Sequence, residues 1–199
     1  MHLRMHRAFS YIELLICTAI IGILYIIYFG PGSESAQSRK KAQCAQQLAQ
    51  FHLVLSVYAV DHGGAFPLVA GARSSDVPLN ELVPRYTSDT SVFTCPGSRD
   101  SRLPDAEPIL GRRISYGYCM GITTAAGADC PLVTDALVEA APKRAGDLLF
   151  SKTSKGAGSN HREFGGNVLF ADGHVETFDS VAGQDWALPP GAVVLNPKD

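Results

Sequence analysis

Four residues near the C-terminus have side chains that commonly bind metal ions: His161, Asp172, His174 and Glu176. Imidazole and carboxylate groups are zinc ligands, and the carboxylate oxygens of Asp172 and Glu176 are of the type that calcium prefers. The spacing is not diagnostic of a metal site, because Asp172 lies in a predicted turn and His174 and Glu176 share one face of a predicted strand. If that face is the solvent side, these residues have no ligand role. A metal ion of the zinc type is therefore a candidate ligand of these residues, and the alternative is that none binds.

Motifs of common catalytic and nucleotide-binding sites do not occur in the sequence. It contains no nucleophile motif, P-loop, dinucleotide fingerprint or pair of catalytic carboxylates. Residues 154–159 are rich in glycine and serine, but no strand-to-helix pattern surrounds them, so a flexible loop is the better interpretation. The sequence therefore predicts that the chain is not an enzyme.

The N-terminus combines a short basic leader, which includes Arg4 and Arg7, with a long apolar run. Residues 14–33 carry no charged side chain, and this length of twenty residues is about what a helix needs to cross a membrane. The pattern predicts a transmembrane helix with the leader on the cytoplasmic side. Glu13 stands at the front of the run, where a carboxylate is costly unless it has a partner. Alternatively, Glu13 forms a capping box with Ser10.

The segment from Arg7 to Leu15 resembles the signal of type IV prepilins, the family of pilins and of the pseudopilins of type II secretion. The resemblance implies that prepilin peptidase cuts between Ala8 and Phe9 and methylates the new amino group of Phe9. Glu13 then becomes the fifth residue of the mature chain and serves in assembly. Ala8 stands where glycine is usual. An ordinary secretory signal fits less well, because no small-residue cleavage site follows the apolar run.

Short motifs further along the chain also resemble prepilin-like proteins. They are residues 58–67, 93–96 and 115–118, and a histidine, His161, ahead of an Asp-Gly pair at 172–173. Ten residues, 162–171, separate that histidine from the pair, one more than in the family's motif. Major pseudopilins that resemble this chain hold calcium near the C-terminus, and Asp172 and Glu176 are the nearby candidate ligands for it.

Four of the five cysteines follow the apolar run, and the resemblance places them outside the cytoplasm, where disulfides persist. Cys44, Cys95, Cys119 and Cys130 allow three connectivities. We predict a Cys119–Cys130 disulfide, which closes a short loop, and by elimination a Cys44–Cys95 disulfide. Four free buried thiols are the alternative. Cys17 lies within the apolar run and is predicted to be unpaired.

A helical stripe is predicted after the apolar run. Apolar residues recur at spacings of four, three, four and three, which is one face of a helix: Cys44, Leu48, Phe51, Leu55 and Tyr58. The glycines at 63–64 are expected to end this helix, and Pro31 is expected to interrupt the helical segment that precedes it.

A hairpin is predicted near the C-terminus, where Asp172-Gly173 separates strand-like runs at 167–171 and 174–178 with a two-residue turn. The predicted fold class is α+β: a long N-terminal helix, transmembrane and then amphipathic, packed on an antiparallel β-sheet, as in type IV pilins. The predicted segments are a leader at 1–8, a transmembrane and assembly helix at 9–30, an amphipathic helix at 31–64, a β-rich domain at 65–180 and an irregular tail at 181–199.

Composition limits the classes of partner. The 199 residues include 17 basic and 19 acidic side chains, for a net charge of −2, and 46% are hydrophobic. Such a chain can bury a core, but it offers no basic surface for nucleic acid.

Together these features predict a structural subunit, a pseudopilin or minor pilin, of a type II secretion or type IV pilus-like filament. The predicted partners are prepilin peptidase, other pilin or pseudopilin subunits and the inner-membrane assembly platform. The predicted location is the bacterial cytoplasmic membrane, as a single-pass protein whose globular domain lies outside the cytoplasm, with extracytoplasmic assembly into a filament. The alternative is a monomeric, membrane-anchored cell-surface binding protein that uses a prepilin-type signal.

Overall fold

The computed structural model describes residues 10–29 and 32–198, with side chains at 10–25 and 36–198. The chain divides into two compact units, Met1–Ala36 and Gln37–Asp199. The predicted leader and its cleavage position between Ala8 and Phe9 lie outside the described residues.

The first helix, α1, spans Tyr11–Phe29 and begins with a local cap. The backbone N–H of Ser10 donates to the Glu13 carboxylate at 2.9 Å, while the Ser10 carbonyl accepts from the N–H groups of Glu13 and Leu14. Glu13 therefore satisfies a backbone donor at the helix start, as in a capping box. Every side chain described in α1, at residues 11–25, is exposed, including that of Cys17.

The predicted fold class is wrong in its helical part. It required one long N-terminal helix, transmembrane and then amphipathic, packed on the sheet, whereas the structure has separate helices, α1 and then α2 at Gly32–Asp61. In the described parts of the chain, no helix combines the length and the apolar character needed to cross a membrane. This finding contradicts the predicted transmembrane helix and the predicted single-pass location in the cytoplasmic membrane.

Helix α2 carries the predicted apolar stripe, and all five of its residues are buried: Cys44, Leu48, Phe51, Leu55 and Tyr58. The Phe51 ring contacts the ring of Phe93 edge to face, with centroids 5.1 Å apart, and lies 6.3 Å from that of Tyr116. After the helix ends, Gly64 adopts a positive φ of 88° and its N–H donates to the carbonyl of Ala59. The glycine thus closes the helix C-terminus, as the sequence predicts.

A five-stranded antiparallel sheet forms the rest of the regular structure. The strands are β1 (Tyr116–Met120), β2 (Pro131–Asp135), β3 (Gly166–Phe170), β4 (Val175–Phe178) and β5 (Val193–Leu195), in the spatial order β4-β3-β2-β1-β5. Every residue of β1, β2 and β3 is buried. Between α2 and β1 lie a short helix, α3 (Asp76–Leu79), and 3₁₀ turns at Asn80–Leu82 and Thr90–Phe93.

The predicted hairpin is confirmed as β3 and β4, which pair Leu169 with Val175 and Gly166 with Phe178. Its predicted two-residue turn is wrong. Phe170 N–H donates to the His174 carbonyl, and Gly173 N–H donates to the Phe170 carbonyl, so three residues form the loop. Gly173 has a φ of 97°, which fits a three-residue loop whose last residue is left-handed.

The tail predicted to be irregular contains strand β5. Val193–Leu195 pairs with β1, joining Cys119 to Val194 across the sheet edge. A strand of three residues beside prolines has little local signal, and only pairing with a distant strand satisfies its backbone.

Candidate functional site

Four chemically active side chains meet inside the Gln37–Asp199 unit: Cys44, Cys95, Asp135 and His161. We call them the buried cluster. Each offers one potential ligand atom, and these atoms all lie within 4.8 Å of one another. All four residues are between 0% and 2% exposed.

Different elements supply the four members, which are distant in sequence. Cys44 lies on the buried face of α2, and Asp135 is the last residue of β2. Cys95 follows the second 3₁₀ turn, and His161 precedes β3. The Cys95 sulfur accepts the backbone N–H of Gly97 at 3.3 Å, and this local turn orients the thiol.

Asp135 is the polar centre of the cluster. One oxygen, Oδ1, accepts the side-chain N–H of Asn160 at 2.8 Å, and Oδ2 accepts the backbone N–H of Asn167 at 2.8 Å and its side-chain N–H at 3.2 Å. His161 Nε2 lies 3.3 Å from Oδ2. Burial acts to raise the pKa of Asp135, but the neighbouring His161 and these hydrogen bonds outweigh it and lower that pKa. The carboxylate is therefore charged at neutral pH.

His161 lies between the carboxylate and a thiol. Its Nε2 is 3.3 Å from the Cys95 sulfur as well as 3.3 Å from Asp135 Oδ2. Burial opposes the charge of His161, but hydrogen bonds to Asp135 and Cys95 raise its pKa to about 10. Its other ring nitrogen, Nδ1, is buried with no hydrogen-bond partner among the described residues.

The two thiols have different surroundings. Cys44 Sγ lies 3.2 Å from the Tyr116 hydroxyl and 3.4 Å from Asp135 Oδ1. Burial raises the pKa of Cys44, and the carboxylate adds to this shift. Burial also opposes ionisation of Cys95, but hydrogen bonds from Cys44 and His161 outweigh it and lower the pKa of Cys95. Cys95 is thus the more readily ionised of the two.

Because Gly97 has no side chain, the His161 ring can pack directly against its backbone. A Cβ at this position would lie 2.2 Å from His161 Nδ1 and 2.9 Å from the Asn160 carbonyl oxygen. We expect Gly97→Ala to destabilise the protein by about 1–3 kcal/mol, since overpacking a core forces its neighbours to move. Gly127→Ala is the matched control, because a Cβ there meets nothing within 4 Å. Urea denaturation compares the two, and equal midpoints would show that His161 moves aside without cost.

The residues predicted as metal ligands do not form one site. His161 belongs to the buried cluster, whereas Asp172 and His174 pair with each other on the surface at 2.6 Å. Glu176 is exposed on β4. Among the described residues, the buried cluster is the one group of three or more His, Cys, Asp and Glu side chains close enough to hold a metal ion. Calcium binding at the hairpin stays a prediction.

Sequence reasoning missed Asp135 altogether and treated Cys44 and Cys95 only as disulfide candidates. A signal for Asp135 was available, because a carboxylate ending an apolar strand requires partners when it is buried. All five cysteines, including Cys119 and Cys130, are free thiols in the structure. The two disulfide pairings stay predictions for the oxidised chain.

The cluster has the chemistry of a ligand set more than that of a catalytic site. A thiol beside an imidazole resembles a nucleophile with its base, but here both groups are buried. Two sulfurs, one nitrogen and one carboxylate oxygen are zinc-type donors, and closed sets of four are typical of structural zinc sites. Comparison of the chain with models of protein families, with curated proteins and with solved structures gives no match.

Proposed function

We propose that this protein is a pilin-like structural subunit that assembles with other copies, or with related subunits, through helix α1. The observation that carries the proposal is the exposure of the apolar residues of that helix. Ile12, Leu14, Leu15, Ile16, Ile20, Ile21, Ile23 and Leu24 are each at least half exposed. Water-facing apolar surfaces of this extent are typical of interaction sites, because burying them is favourable.

The composition of α1 also supports a role in assembly. Glu13 is its one charged residue, in the first turn, and no basic residue lies in its last turn. A surface helix that only covers its own domain has a polar face as well as an apolar one. A helix that is apolar on all sides requires a surrounding apolar environment, and a bundle of such helices from several subunits provides one.

The prepilin-like signal supports the same proposal and adds a processing step. Prepilin peptidase would cut between Ala8 and Phe9, so that each mature subunit begins with the amino group of Phe9, close to α1. Glu13 would then be the carboxylate that meets this amino group on a neighbouring subunit. Charge pairs of this kind in an apolar environment fix the register between helices.

A single substitution on α1 tests the proposal. Ile21→Glu places a carboxylate among the exposed apolar side chains while keeping a good helix former. We expect it to remove most subunit-to-subunit crosslinks in the producing cells, because packing would bury an unpaired charge. Leu68→Glu is the control, since Leu68 is exposed to a similar degree, 61% against 65%, but lies outside α1.

Protein purified from the same cells tests the processing step as well as assembly. Intact mass should show a chain that starts at Phe9 and carries a methyl group. Equal crosslinking of Ile21→Glu and the original protein would contradict assembly through α1, as would a chain that stays monomeric at all concentrations. A chain that retains residues 1–8 would contradict the processing step alone.

A further inference from the structure

We propose that the buried cluster of Cys44, Cys95, Asp135 and His161 binds one zinc ion, which fastens α2 to the loops and strands around it. The first argument is geometric. Zinc bonds of about 2.3 Å to sulfur and about 2.0 Å to nitrogen or oxygen give a tetrahedron with edges of about 3.3–3.8 Å. The separations in the structure are 3.3 Å from Cys95 Sγ to His161 Nε2, 3.3 Å from His161 Nε2 to Asp135 Oδ2, and 3.7 Å from Cys44 Sγ to the same Asp135 oxygen. Three of the six separations thus match those of a tetrahedral zinc site, and all four ligand atoms lie within 4.8 Å of one another.

The donor types select the metal. Two thiols exclude calcium and magnesium as the preferred ions, because these cations bind oxygen ligands. Two thiols, an imidazole and a carboxylate suit zinc, whereas iron–sulfur clusters generally take four cysteines. All four members are buried, so the site has no open position for a reacting water and its role is structural.

Neighbouring groups hold the ligands in place. Asn160 and Asn167 donate hydrogen bonds to Asp135 at 2.8 Å, and such contacts orient a carboxylate toward a metal. Binding displaces protons from the thiols and from His161, so it weakens as pH falls. The three negative ligands outweigh the charge of Zn²⁺, and the buried Lys41 ammonium, which is attracted to Asp179 and also to Asp135, offsets part of the difference.

The experiment measures zinc and cobalt binding by the full chain in a reducing buffer. After incubation with zinc and removal of the excess, elemental analysis should give about one zinc per chain, as the four ligands of one closed site require. Cobalt should give the sulfur-to-metal charge-transfer band and the intense visible bands of a tetrahedral thiolate site. Cys44→Ala and Cys95→Ala should each lose the bound metal. Cys119→Ala is the matched control, because Cys119 is equally buried but lies outside the cluster.

Two results would overturn the proposal directly. One is a reduced chain that takes up neither zinc nor cobalt, and the other is a full metal content in both cysteine variants. Recovery of the chain with a Cys44–Cys95 disulfide, and no metal uptake after reduction, would assign the pair to a disulfide instead. Since a variant that loses its fold would also lose metal, the cobalt spectrum of the unaltered chain is an independent test, and bands without a thiolate contribution would contradict the ligand set. None of these measurements depends on assembly through α1, so the zinc proposal and the assembly proposal can fail separately.

Discussion

Asp135→Ala is expected to lower the free energy of unfolding by about 3–5 kcal/mol, because it removes one partner from a buried, charged network. The carboxylate accepts hydrogen bonds from Asn160 and from both the backbone and the side chain of Asn167, and it faces His161. Without it, these donors remain buried with no acceptor. Urea denaturation in the presence of reductant and chelator measures this effect separately from any bound metal.

Two further variants serve as controls for the unfolding measurement on Asp135→Ala. Asp172→Ala removes a carboxylate that is also paired with a histidine, His174, but on the surface. We therefore expect it to lower the free energy of unfolding by less than about 1 kcal/mol. Asp135→Asn keeps one acceptor but turns an N–H₂ group toward the donors of either Asn160 or Asn167, and we expect it to rescue little. If Asp135→Ala and Asp172→Ala destabilise equally, the buried network contributes little to the fold.

Glu13→Ala is expected to abolish the proposed assembly while leaving the fold of the Gln37–Asp199 unit unchanged. In the single chain, Glu13 accepts the backbone N–H of Ser10 at 2.9 Å. In the proposed assembly, the same carboxylate pairs with the Phe9 amino group of a neighbouring subunit. Loss of the carboxylate would leave that amino group as an unpaired charge among apolar helices, which is strongly unfavourable. Crosslinking of subunits in the producing cells measures the effect.

Glu13→Gln separates pairing from capping. Glutamine keeps the side-chain oxygen that caps a helix start but has no charge. The pairing proposal therefore requires Glu13→Gln to fail in assembly as Glu13→Ala does. Normal crosslinked ladders from Glu13→Gln, together with loss in Glu13→Ala, would assign Glu13 to the cap alone. Ladders from both variants would show that assembly does not need Glu13.

Features with a local cause could be predicted from the sequence by itself. The apolar stripe of α2, including Leu48 and Phe51, is buried because residues three and four apart share one face of a helix. The β3–β4 hairpin forms where an Asp-Gly pair separates two strand-like runs. The cap at Ser10 and Glu13 is also local. In each case the pattern that predicts the feature lies within a short stretch of the chain, so the order of residues contains the signal.

Only the tertiary structure decided the features that depend on distant contacts. Cys44, Cys95, Asp135 and His161 are far apart in sequence and belong to different elements, so no spacing rule relates them before the chain has folded. Strand β5 likewise exists because β1 offers it a partner. Bringing the four cluster residues together closes long loops, and only the complete core offsets the entropic cost of that closure. Their proximity therefore depends on the whole fold and cannot be read from any one segment.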